Sequence, residues 1–163
     1  MSAHESRLTQ ELRTLLSSQR VAALGTLGED GLPFVSMVPF ALEQHSPCVV
    51  IHVSGLAAHT RNLRATPQVS LLVMQAEGPG EPVHALPRVT LMGQATVLPP
   101  GSAAWTAGRA AYLARFPEAE PMTELSDFMF VAIQLLGARQ IAGFGAARSL
   151  DADAVASVLQ PLS

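Results

Sequence analysis

The sequence predicts a mainly β protein: an antiparallel, Greek-key-like β-barrel with flanking helices packed outside it. Three observations carry that expectation. Six or seven short β-type runs succeed one another through hairpin-like turns instead of alternating regularly with helices. The run 88–97 has the two-residue period of a half-buried strand. Helical patterns are confined to the two ends and to crossovers. With 163 residues, the chain is expected to form one domain: an N-terminal helix over 1–19, a barrel over 20–148 and a C-terminal helix over 149–163.

Taken in order, Leu8, Leu12, Leu15 and Leu16 recur at helical spacing between Ser6 and Gln19 and predict an amphipathic support helix. Val21 to Leu27 and Leu32 to Phe40 flank the turn Gly28-Glu29-Asp30-Gly31, a hairpin signal. A loop with His45, Ser46 and Pro47 leads into the strand Cys48 to Val53. Gly55 to Arg64 is helix-like, and Pro67 stops it. Gln68 to Met74 is a further strand, and the Gly/Pro-rich segment Glu77 to Pro87 is an exposed loop.

From Arg88 the chain alternates. Val89, Leu91, Ala95 and Val97 take one side, and Arg88, Thr90, Gln94 and Thr96 the other, with Gly93 permitting a bend or bulge. Ser102 to Phe116 is alanine-rich without an interior proline, hence a helix ended by Pro117. Phe128 to Leu136 and Arg139 to Phe144 read as a closing hairpin around Gly137, before a short helix from Asp151 to Leu159.

Composition narrows the function. The chain is 48% hydrophobic and 14% charged with a mean hydropathy of +0.29, an apolar excess that predicts a buried subunit interface. A net charge of −3, with its basic residues dispersed, leaves no footprint for nucleic acid. All ten basic residues are arginine, which removes a Schiff-base, P-loop or general-base lysine. The lone Cys48 cannot form an intramolecular disulfide, and no Cys/His cluster has zinc-site spacing, so a reducing compartment and an ordinary buried thiol are expected. The first twenty residues lack the apolar run of a signal peptide and no stretch has membrane-spanning length, so a cytoplasmic location is expected. Fingerprints of the Gly-x-Gly-x-x-Gly, Gly-x-Ser-x-Gly and His-Glu-x-x-His kinds are missing.

Three places remain for chemistry. Ser54 to Leu63 gathers Ser54, His59, Thr60, Arg61 and Asn62 where a strand meets a helix. Free N–H groups and the helix dipole make such a junction an anion site. The same residues also fit a Ser54 helix cap beside a solvated face. Ser36 is the one serine of an apolar strand, and its hydroxyl needs a partner, either a ligand or neighbouring backbone. Arg88 opens the long strand, facing either a ligand or water.

These segments occur in one order: Leu24-Gly25-Thr26-Leu27 with Gly31 to Phe40, then Leu56 to Leu63, then Arg88 to Gly93, then Gly143-Phe144-Gly145. Over about residues 20–148 the chain resembles the pyridoxamine 5′-phosphate oxidase-like FMN-binding split-barrel superfamily, and most of all its haem-utilisation branch. The resemblance implies an FMN-binding split-barrel fold and a homodimer with ligand sites at the interface. It implies that Ser36, Met37 and Val38 line a flavin. It implies that Ser54, His59, Thr60, Arg61 and Asn62 face the phosphate and ribityl chain, and that Arg88 approaches the ring. Where pyridoxamine phosphate oxidases carry an Arg-Lys phosphate pair, this chain has Ala58-His59. Haem-degrading members use a histidine near the C-terminus as iron ligand, whereas the last histidine here is His84.

Two functions from different classes follow. The first is an FMN flavoprotein passing electrons to or from a small substrate, in which the isoalloxazine does the chemistry. The second is a haem-binding protein in which His52, His59 or His84 supplies a ligand. A split barrel with a regulatory role and no catalysis is the third possibility.

Overall fold

The computed structural model describes residues 5–161, so positions 1–4 and 162–163 of the expected terminal helices lie outside the described residues. Eight strands form one antiparallel sheet. They are β1 (Val21–Leu27), β2 (Pro33–Pro39), β3 (Ala41–Glu43), β4 (Cys48–Ser54), β5 (Gln68–Met74), β6 (Arg88–Val97), β7 (Phe128–Ile141) and β8 (Ala147–Asp151). Their order is β2-β1-β5-β6-β7-β4-β3, with β8 also paired to β7. Four helices flank it: α1 (Arg7–Ser18), α2 (Ala58–Ala65), α3 (Ala103–Arg115) and α4 (Ala152–Leu159). This is the mainly β, antiparallel architecture that the succession of short strands predicted, in the split-barrel form that the resemblance implied.

The sheet curls around a core built from alternate residues, among them Leu24, Ile51, Leu71, Leu91, Val131 and Ile133. Each such side chain, once buried, contributes about 1.5–3 kcal/mol. Leu12 and Leu16 of α1 and Val155 and Val158 of α4 complete that core. On the outer face of β4, a second cluster joins Tyr112 and Phe116 to Val50, Leu98 and Phe130. Arginines bind the helix ends. Arg115 donates to the carbonyls of Leu16, Ser17 and Gln19 at the end of α1. Arg13 donates to Gln160 and Ser157 at the end of α4.

Several local expectations are corrected. The segments 128–136 and 139–144 are not two arms of a hairpin around Gly137 but parts of the single strand β7. Met92 pairs Gly137 while Gly93 pairs Leu135, which leaves Leu136 as the extra residue of a bulge. Glycine is required on both strands there. A Cβ on Gly93 would lie 2.6 Å from Ile133 and 2.7 Å from the Gln134 carbonyl, and one on Gly137 3.3 Å from the Leu150 carbonyl. The real hairpin turns at 142–146, where Gly143 and Gly145 adopt φ of 125° and 72°, and its second arm is β8. The helix expected from Asp151 to Leu159 is α4, with Asp151 as its N-cap, and only 149–151 of the segment given to the C-terminal helix belong instead to β8. The 3-10 turn at Val83–Ala85 lies in the segment expected to be an exposed loop, and strand β3 and the 3-10 turn at Pro117–Glu124 lie where no element was expected.

Candidate functional site

Strand β2 lies at one edge of the sheet, and its alternation sorts the residues expected to line a ligand onto two faces. Ser36 pairs with Leu24, a core residue, and so faces inward toward α2. Val38 is on the same side but only 2% exposed, sealed in the core. Met37 points to the opposite face and is 64% exposed. Strand pleating thus puts Met37 on one face of β2 and Ser36 and Val38 on the other, with Val38 sealed in the core.

Helix α2 is fixed by side chains that the sequence marked as ligand contacts. The Thr60 hydroxyl is fully buried and donates to the Ser54 carbonyl at 2.6 Å. Asn62 Nδ2 donates to Thr26 Oγ1 at 3.0 Å, and that hydroxyl donates on to the Phe34 carbonyl at 3.4 Å. Thr60 and Asn62 therefore hold the helix against β4 and β1, with those polar atoms spent inside the protein. Ser54 is not the helix cap: Ala57 occupies that position without a side-chain bond. Instead the Ser54 hydroxyl accepts from Leu56 N–H at 3.1 Å in the preceding turn.

This anchoring brings His59 onto Ser36. Their Nδ1 and Oγ atoms lie 2.8 Å apart. Burial pushes the His59 imidazole below its ordinary pKa, favouring the neutral ring. Arg61 and Arg64 project from the same helix and are exposed. Arg61 borders a cleft of about 540 Å³ shared with Glu29, Asp30 and Phe34. Leu32 and Phe34 of its lining are exposed apolar side chains. With one arginine against two carboxylates, the cleft lacks the concentrated positive charge that a phosphate dianion favours.

The other candidates lie apart. Arg88 is tied to the preceding turn, where its Nη1 donates to the carbonyls of His84 and Leu86 at 3.3 and 2.9 Å. His52 is packed among aromatic rings, 4.5 Å from Phe130 and 5.2 Å from Phe128 between centroids. His84 is exposed on the 3-10 turn. Cys48 is half-buried, and burial, and secondarily Glu43, pushes its thiol up to about 11, in keeping with a poorly reactive thiol.

The largest cavity, about 710 Å³, was not foreseen. It opens between α3 and α4 over Val50 and Ala132, with Ala104, Ala107 and Gly108 on its helical wall. The spacing of those small residues on α3 was its only trace in the sequence. Its lining includes the carboxylates of Glu43 and Asp153 and no basic residue, so it offers no counterion to a phosphate or a propionate. The smaller cleft at α2 has Arg61 in its lining, and the Ser36–His59 pair joins the same helix to β2, so on chemistry this region is the candidate site. Among the described residues, no group of three or more His, Cys, Asp or Glu side chains is placed to hold a metal ion. No helix among them is long and apolar enough to cross a membrane.

Comparison with known proteins agrees with this architecture. The family model described as pyridoxamine 5′-phosphate oxidase matches residues 8–142. The chain is 30% identical over 150 residues to the heme oxygenase HutZ of Vibrio cholerae, covering 91% of this chain and 84% of that one. It is 34% identical over 155 residues to the non-canonical heme oxygenase HOZ, chloroplastic, of Arabidopsis thaliana, covering 90% of this chain and 46% of that one. A heme binding protein from Mycobacterium smegmatis superimposes with a TM-score of 0.83 at 30% identity, covering 95% of this chain and 62% of that one. The chain thus spans under two thirds of the length of those last two proteins. By sequence and by fold, this chain belongs to the pyridoxamine 5′-phosphate oxidase family, in its haem-utilisation branch.

Proposed function

We propose that the chain binds haem at the α2 cleft and does so as a homodimer. The observation that carries this reading is the Ser36–His59 pair, whose burial favours a neutral imidazole where a phosphate site would want cations. A neutral imidazole suits iron, the exposed apolar side chains of Leu32, Phe34 and Leu56 suit a porphyrin, and the exposed Arg61 and Arg64 suit its carboxylates. Haem supplies a redox-active iron in a flat apolar ring, and the protein supplies its position and surroundings. The haem-binding and haem-oxygenase names of the relatives support haem over the FMN that the sequence reading put first.

Support for the dimer comes from the outer face of the sheet. Val35 and Met37 on β2, Leu72 on β5, Met92 on β6 and Leu136 on β7 are all exposed apolar side chains there. A second copy covering that face would meet β2 from behind, so Met37 would sit in the interface while its neighbour Ser36 stays in the site.

The test is a parallel titration of the purified protein with hemin and with FMN. Saturable growth of a protein-bound Soret band at one haem per chain, with no quenching of FMN fluorescence, is the expected result. Tight FMN binding without saturable haem binding would restore the flavoprotein reading.

A further inference from the structure

We propose that the cavity between α3 and α4 is a second ligand site, and that it takes a cationic apolar molecule, an amine on a hydrocarbon body. Its floor follows from strand register. Glu43 pairs with Cys48 and Cys48 with Gln134, while Val50 pairs with Ala132 and Ala132 with Thr96. The two rows are two residues apart along β4 and β7, so all six residues share one face of the sheet. It is the face opposite Val49, Ile51 and Ile133, which fill the core. Helix α3 touches this face at Gly108, where an added Cβ would lie 3.1 Å from Leu98 Cδ1 and 3.6 Å from Val50 Cγ1. Toward the N-terminus of α3, Ala104 and Ala107 end at the β-carbon, and so do Ala152 and Ala156 on α4. Such short side chains cannot bridge the gap between the helices. The resulting volume of about 710 Å³ falls within the roughly 300–1,000 Å³ of small-molecule sites.

Charge selects the ligand. The lining has two carboxylates, Glu43 and Asp153, and no arginine or histidine. Glu43 is 6% exposed, and its oxygens accept from the N–H groups of His45 and Ser46 at 2.9 and 2.7 Å. Those donors are neutral, so they fix the carboxylate without cancelling its charge. Asp153 lies exposed in the first turn of α4. Among the described residues neither carboxylate forms an ion pair. The field reaches the floor of the cavity: burial raises the Cys48 thiol most, and the charge of Glu43 raises it further. An anion entering here meets two like charges and no partner. An ammonium gains a charge-assisted hydrogen bond while its hydrocarbon body covers Val50 and Ala132. The same two carboxylates set the cavity apart from a haem pocket, since haem brings propionates of its own, so binding here does not depend on haem.

Calorimetric titration with octylamine, octanol and octanoate at pH 7 tests the site, because the three probes share one hydrocarbon body and differ in charge. Octylamine is protonated at that pH, as a lysine amine is. It is expected to saturate at one per chain and to bind at least about tenfold more tightly than octanol, with octanoate weakest. Asp153→Asn should weaken octylamine about threefold and leave octanol unchanged. Ala107→Phe fills the cavity without altering the net charge and should abolish octylamine binding. Ala156→Phe fills it from the other wall and should do the same, so a folding failure in one leaves the other to decide. In the wild-type protein, alanine-methyl magnetic resonance spectra should show Ala107, Ala132 and Ala156 shifting with octylamine while Ala22 of the core stays still. Octanol or octanoate bound as tightly as octylamine overturns the cationic class. Octylamine bound equally by wild type and the folded filled variants overturns the location, and no saturable octylamine binding overturns the site altogether.

Discussion

Ser36 Oγ and His59 Nδ1 meet at 2.8 Å across 23 residues of sequence, one from the sheet edge and one from the first turn of a helix. The contact depends on how tightly α2 is held. Its deepest anchor is the bond from Asn62 to Thr26, buried between helix and strand.

Asn62→Ala is accordingly expected to destabilise the fold by about 1–3 kcal/mol, because it removes the donor to a buried hydroxyl and leaves a small void. Denaturant unfolding should show a lower midpoint at unchanged slope. The same variant should loosen the Ser36–His59 contact and weaken ligand binding. A stability equal to wild type would mean that the bond to Thr26 contributes nothing net.

How much of this was legible beforehand follows from the kind of signal involved. The strands were legible because alternation is local: residues 88–97 show in the sequence the same two faces they show in the structure. The strand β7 was misread because a glycine in an apolar run looks the same whether it turns the chain or bulges it, and only its partner Gly93 decides. At the site, residue identities were legible and their roles were not. Thr60, Asn62 and Arg88 have the donors of a ligand site, yet backbone carbonyls and Thr26 take those donors, and no spacing rule encodes that. The pairing of Ser36 with His59 needs the β1–β2 register and the seat of α2 together, which is tertiary information.

The exposed outer face gives a second prediction. If a second copy covers it, light scattering should report about twice the 17.2 kDa chain mass. Met37→Glu places a charge among Val35, Leu72 and Met92 and should yield monomer while leaving the far-ultraviolet circular dichroism unchanged. A dimer that survives Met37→Glu would move the interface elsewhere.

Cys48 supplies a third. A thiol held near 11 instead of 9 has about 100-fold less thiolate at pH 8, since each pKa unit is a factor of ten in the reactive form. Alkylation by iodoacetamide at pH 8 should therefore be slower by at least that factor in the folded protein than in urea. Equal rates in the two states would show that Cys48 is not held as an inert thiol.

The last prediction concerns acid. His52 is surrounded by Phe128, Phe130 and Tyr112, and burial lowers its pKa below the ordinary 6.5. Above that value both the folded and the unfolded chain have the neutral ring, so His52 contributes no pH dependence. As pH falls through 6.5 the unfolded chain takes up a proton that the folded chain resists, and stability drops until the folded-state pKa is reached. One proton sets a ceiling of about 1.4 kcal/mol per pH unit, and residual solvent contact keeps the effect below it. His59 is shifted in the same direction, so the wild-type slope has two contributors. His52→Phe removes one and preserves the aromatic packing. Its stability, measured by denaturant unfolding at pH 7.5 and 5.5, should fall less on acidification than that of wild type. An identical loss in both proteins would show that the ring of His52 is protonated as easily in the fold as in the open chain.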